Sequence, residues 1–98
     1  MPIGWFDASE AEKFGVSLAK YFIDRIPPET SGGKGRSLEK RLAAVDKMYM
    51  QIDAFRRENR LNFYKKAKLG NAFRWQLVSA GYDKDFVDQV TKGVLLKL

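Results

Sequence analysis

SLEKRLAAVDKMYMQIDAFRRENRLNFYKKAKLG, residues 37–70, contains no proline and no glycine before its last position. Ser37 is a good helix N-cap, its hydroxyl able to accept from an otherwise unpaired backbone N–H. Leu38, Leu42, Val45, Met48 or Tyr49, Ile52, Phe55 and Phe63 follow as an apolar stripe at helical spacing. The pattern predicts one long helix over residues 37–69, ended by Gly70. Lys65, Lys66 and Lys68 would lie in its final turns, where the helix dipole favours cations. About 30 helical residues rise about 45 Å. That is more than a shorter neighbouring helix can cover. Either the C-terminal half projects, or the helix bends near Asn59–Asn62, or later helices fold back on it.

The preceding segment reads as a first helix over residues 8–26. Asp7 and Glu10 form a D-x-x-E variant of the capping box, with Phe6 in the staple position. Ala11, Phe14, Leu18, Phe22 and Ile26 make one apolar face, bordered by Tyr21. Gly15 weakens this helix locally and marks a place where another element can approach closely. Pro27 and Pro28 end it, because a proline disfavours helical geometry at the residue before it. Residues 27–36 then read as a flexible Pro/Gly-rich loop.

On the other side, Asn71 is placed to cap a short third helix over residues 72–80 that carries Phe73, Leu77 and Val78 and closes at Gly81. Asp83 caps a fourth over residues 84–97, with Asp85 in its first turn and Phe86, Val87, Val90, Val94 and Leu95 on its apolar face. Trp5 and Phe6 at one end, with Leu95, Leu96 and Leu98 at the other, either cover the ends of the core or form a contact patch for another subunit. No strand pattern competes and no solenoid repeat is present. The expected fold is all-α: one domain, residues 1–98, a small bundle of about four helices with one long central helix and a C-terminal α-hairpin. The stretch Leu77-Val78-Ser79-Ala80-Gly81-Tyr82, followed by Val87 and Val90, resembles in outline the helical repeats of RecX-type regulators. The likeness covers about 20 residues, implies a helical hairpin, and carries no function with it.

Composition excludes more than it identifies. Ninety-eight residues make one domain with room for a modest core. The absence of cysteine rules out disulfides, thiolate nucleophiles and zinc–thiolate sites. The absence of histidine removes the usual general base and the commonest metal ligand. A non-enzymatic protein without a cofactor is therefore expected. The first seven residues have neither the basic region nor the apolar run of a secretory signal, and no stretch has the length of a membrane span, so the cytoplasm is the default compartment.

The charge is concentrated. Arg56, Arg57, Arg60, Lys65, Lys66, Lys68 and Arg74 stand against Glu58 alone, a local charge of +6 that equals the charge of the whole chain. Elsewhere eleven basic and eleven acidic residues cancel. Phe55, Phe63, Tyr64, Phe73 and Trp75 are interleaved or adjacent. On a straight helix Arg57, Arg60, Tyr64 and Lys68 fall on the outward side, with Arg56 on the flank. From Arg56 to Lys68 the ridge extends about 18 Å. A concentrated positive field attracts polyanions, and neutralised phosphates release counterions. Tyr64 and Trp75, if exposed, can stack on unpaired bases. The bland counterpart is a solvated outer face, since Lys and Arg are good helix formers, with Phe55 and Phe63 in the core.

Three sharper motifs fail. A helix-turn-helix reading of residues 72–97 gives a recognition helix bearing Asp83, Asp85 and Asp88 with only Lys84 and Lys92, the wrong sign for a phosphate-lined groove. The loop before Ser37 lacks the first P-loop glycine (Pro28 stands there), has Gly35 after Lys34, and follows no strand. The same aspartates do not have EF-hand spacing, so no metal site is expected. The expectation is a small binding or adaptor module that uses Arg56, Arg57, Arg60, Tyr64, Lys65, Lys68, Arg74 and Trp75 to engage a polyanion, nucleic acid foremost, through phosphate. The alternative is a protein-interaction module with an acidic partner or self-association, such as a homodimer, through the long helix. The first reading requires that the chain's own carboxylates leave those cations unneutralised.

Overall fold

The computed structural model describes residues 8–28 and 38–98, with side chains from residue 42 onward in the second segment. Among these residues all regular structure is helical: α1 (Ser9–Arg25), α2 (Leu38–Glu58), α3 (Phe63–Ala80) and α4 (Lys84–Lys97). Asp7, Ser37 and most of the 27–36 loop, with the caps expected there, lie outside the described residues. Ala8 occupies the N-cap position of α1 with no side-chain capping bond. Glu10 and Glu12 in the first turn favour that end through the helix dipole.

The long helix expected over residues 37–69 is two helices, and the one expected over 72–80 starts nine residues earlier. Two asparagines make the break. Asn59 turns its side chain back, its Nδ2 donating to the Phe55 carbonyl at 3.0 Å. Asn62 adopts extended backbone and caps α3, its side chain accepting from the Lys65 N–H at 2.8 Å. Asparagine competes for backbone hydrogen bonds in this way, which favours caps over helix interiors. Gly70 and Asn71, read as a stop and a cap, sit inside α3. Gly70 packs under the tip of Leu95, whose Cδ2 would lie 2.7 Å from a Cβ placed there. Gly81 does end α3, with φ of 101° and its N–H returning to Leu77 and Val78 carbonyls.

The helices alternate in direction. Gly15 lies against Leu69, Phe22 against Phe73, and the Tyr82 hydroxyl donates to the Ile26 carbonyl, so α1 and α3 run parallel. Phe14 stacks on Phe55 at 4.1 Å, while Phe22 and Ile26 share a hollow with Val45 and Met48, which sets α2 antiparallel to α1. Leu95 over Gly70 and Arg74 against Asp88 set α4 antiparallel to α3. Backbone contacts link α1 with α3, α3 with α4, α1 with α2 and α2 with α4, but not α2 with α3. The four-residue link 59–62 therefore crosses the end of the bundle diagonally. The result is a rod of 51 × 23 × 18 Å.

Leu18, Ala19, Ile52, Leu69, Phe73, Leu77, Val87 and Val94 are fully shielded from solvent. Each large apolar side chain among them contributes about 1.5–3 kcal/mol of burial. The α1–α3 contact is the closest, since a Cβ at Gly15 would stand 2.5 Å from the Leu69 carbonyl oxygen. Burial raises the Tyr82 phenol to about 12. α2 is held more loosely. An apolar hollow of about 330 Å3 opens between it, Phe22 of α1 and the C-cap residue Ile26, and Phe86 and Val90 of α4. Of the expected end-covering residues, Leu98 packs against the core, Leu95 is partly exposed over Gly70, and Leu96 is exposed.

Candidate functional site

The break at 59–62 reorganises the basic segment. Arg57, Arg60, Tyr64 and Lys68 do not form a ridge along one helix: Arg57 ends α2, Arg60 lies in the link, and Tyr64 and Lys68 belong to α3. The change of helical phase also moves Phe63 out of the core, where the straight-helix stripe put it, to 86% exposure. Phe55, still on α2, keeps its inward direction.

Three of the seven basic residues are engaged by two of the chain's own carboxylates. Asp53 accepts from Arg56 at 2.5 Å and from Arg57 at 2.8 Å. The hydrogen bond from Arg56, reinforced by the charge of Arg57 and opposed by some desolvation, holds the Asp53 carboxyl below its usual range. Arg74 donates through Nε to Asp88 of α4 at 2.9 Å. These pairs correct the requirement that the arginines stay unclasped, and for Arg56, Arg57 and Arg74 it is not met. The Asp53 spacings, i to i+3 and i to i+4, are legible in the sequence as helix-surface pairs. The Arg74–Asp88 pair spans a turn and is set by how α4 folds back.

Arg60, Lys65, Lys66 and Lys68 have no carboxylate partner among the described residues. With Asp53 and Asp88 counted in, the region keeps a charge of +4. α3 contributes most of it, since its 18 residues include three lysines and an arginine and no acid. At the bundle end a shallow depression of about 450 Å3 is lined by Arg56, Arg57, Glu58, Asn59, Arg60, Leu61, Lys66 and Leu98. Lys66, omitted from the expected set, belongs there. Its place follows from the diagonal link, which brings the start of α3 beside the end of α2.

A second group lies along the outward face of α3. Buried Leu69, Phe73 and Leu77 define the inward side. Tyr64, Lys68 and Trp75 fall opposite them at helical steps, with Asn71 between. Trp75 is 55% exposed and Tyr64 37%. Lys68 Nζ stands 5.6 Å from the centroid of the Tyr64 ring, a cation–π contact. The expected residues thus divide into a cationic corner (Arg56, Arg57, Arg60), a mixed aromatic face (Tyr64, Lys68, Trp75), Lys65 between them on the first turn of α3, and Arg74 tied to α4.

Asp83 accepts from the Phe86 N–H as the N-cap of α4, and Asp88 is engaged by Arg74, so the acidic cluster near residue 85 is used locally. Among the described residues no three potential ligands gather as a metal site, and no helix is long and apolar enough to cross a membrane. No family model, curated protein or solved structure matches the chain.

Proposed function

We propose that this chain is a small non-enzymatic binding module that engages a polyanion, nucleic acid foremost, through phosphate contacts at the α2–α3 corner and the adjoining surface of α3. The observation that carries this reading is the group of four cations, Arg60, Lys65, Lys66 and Lys68, without carboxylate partners among the described residues, on an acid-free helix and its leading link. The first turn of α3 supports it. That end of a helix has a partial positive charge, and acids ordinarily collect there, yet Lys65 and Lys66 occupy it. Positive side chains and the dipole add to one field, which a phosphate would relieve.

The test is anisotropy of a labelled oligonucleotide titrated with protein at two salt concentrations. Four neutralised phosphates on a single strand give a log–log salt slope of about −2.8, which is about a 50-fold loss of affinity from 50 to 200 mM. Replacing Arg60, Lys65, Lys66 and Lys68 together by glutamine should flatten the slope and abolish binding at 50 mM salt. Wild-type protein that binds no oligonucleotide at 50 mM salt ends the nucleic-acid reading.

The alternative, a protein-interaction module with an acidic partner or a second copy, draws on exposed Leu42 and Met50 of α2 and Leu96 of α4. Sedimentation equilibrium that shows a dimer at micromolar concentration, together with no oligonucleotide binding, would favour it.

A further inference from the structure

We infer that the outward face of α3 stacks unpaired bases, so that the ligand is single-stranded rather than duplex nucleic acid; this rests on the polyanion reading above. Tyr64 and Trp75 stand eleven positions apart on one line of the helix, about 16 Å along its axis. Both are open to solvent, Trp75 at 55%. Leu69, Phe73 and Leu77 on the opposite side supply the buried packing of α3. Ala67 and Asn71, both exposed and short, lie between the rings, and the one long side chain among them, Lys68, is a flexible cation. Lys68 sits within the run, its ammonium over the Tyr64 ring; a base stacking on that ring would displace it toward the phosphate joining this base to the next.

Charge complementarity selects the occupant. The face belongs to a helix without a single acid, which a polyanion suits and a basic partner does not. The chemistry of the face then selects single strands. Duplex DNA conceals the faces of its bases and offers donor and acceptor edges in its grooves, read by forked donors. The Tyr64–Trp75 line presents rings, one ammonium and one amide, and its nearest guanidinium, Arg74, is engaged by Asp88. Unpaired bases expose π-faces, and each base stacked on an aromatic ring strengthens binding about 5- to 150-fold.

The experiment compares three labelled probes at about 50 mM salt: a single strand of about 12 thymidines, an abasic strand with the same number of phosphates, and the matched duplex. Wild-type protein is expected to prefer the thymidine strand to the abasic one by at least about tenfold, with quenching of tryptophan emission, and to bind the duplex more weakly. Trp75→Ala should lower that preference by at least about fivefold while leaving the salt slope intact. Trp75→Phe, which keeps a ring, should retain most of it. Circular dichroism of each variant confirms that the helices persist. Equal binding of thymidine and abasic strands, or a preference that Trp75→Ala leaves unchanged, overturns the stacking inference and leaves the polyanion reading standing. Tighter binding of the duplex than of the single strand overturns it too. Failure to bind any of the three probes overturns both.

Discussion

Gly15 and Gly70 are both helical glycines at helix–helix contacts, and the structure predicts opposite outcomes for replacing each with alanine. Alanine is about 1 kcal/mol better than glycine in a helix interior, and this gain applies to both. At Gly15 the new Cβ would lie 2.5 Å from the Leu69 carbonyl oxygen and 3.2 Å from Ala72 Cβ. The obstacle is backbone, so the contact is relieved only if α1 and α3 move apart. Leu18, Phe22, Leu69 and Phe73 are buried around the same seam and would lose contact with one another. Overpacking of this kind costs about 1–3 kcal/mol. With the dispersion lost along the seam it outweighs the helical gain, leaving a net loss of about 1–2 kcal/mol. For a domain of this size that lowers Tm by about 4–15 °C. At Gly70 the obstacle is the tip of Leu95, which is 42% exposed and free to rotate, so Gly70→Ala is expected to be neutral or stabilising by up to about 1 kcal/mol. Thermal and urea unfolding followed by circular dichroism measures both. If Gly15→Ala raises Tm as much as Gly70→Ala does, the close α1–α3 approach is wrong, and the core built on it with it.

Two further outcomes follow from named contacts. Tyr82→Phe removes the hydroxyl that donates to the Ile26 carbonyl, which should cost about 1 kcal/mol at neutral pH. The folded-state phenol, at about 12 against 10, keeps its proton after the unfolded chain has released it. Wild-type stability therefore falls as pH rises from 10 to 12, by up to about 1.4 kcal/mol per pH unit from this group. Urea unfolding across that range should show the Tyr82→Phe variant without this component, and identical pH profiles would contradict the buried hydroxyl. Asp53→Asn releases Arg56 and Arg57, and Asp88→Asn releases Arg74. If those arginines adjoin the bound strand, the salt slope should steepen by up to about 1.4 for the first variant and 0.7 for the second. Unchanged slopes place them outside the interface.

The chain by itself determined the helical class, the outer bounds of α1 and α4, and the turn at Gly81, because each rests on local signals: apolar spacing, prolines that stop a helix, a glycine able to adopt positive φ. It also located the excess charge, since net charge is a sum over residues and needs no coordinates. The break between Glu58 and Phe63 was open to sequence reasoning as a bend, but the apolar stripe runs through it without loss of phase, and Gly70 offers a more conspicuous stop. Tertiary packing decided the matter. Gly70 lies under Leu95 inside a continuous helix, and α3 could reach its place beside α1 only by a reversal of the chain before Phe63. The same reversal exposed Phe63, put Lys66 beside Arg60, and aligned Tyr64, Lys68 and Trp75 on one outer face. The ion pair between Arg74 and Asp88, fourteen positions apart, likewise depends on the angle at which α4 folds back. The Asp53 pairs with Arg56 and Arg57 are local and legible at helical spacing, whereas the Arg74–Asp88 pair is a property of distances across the fold that linear order does not contain.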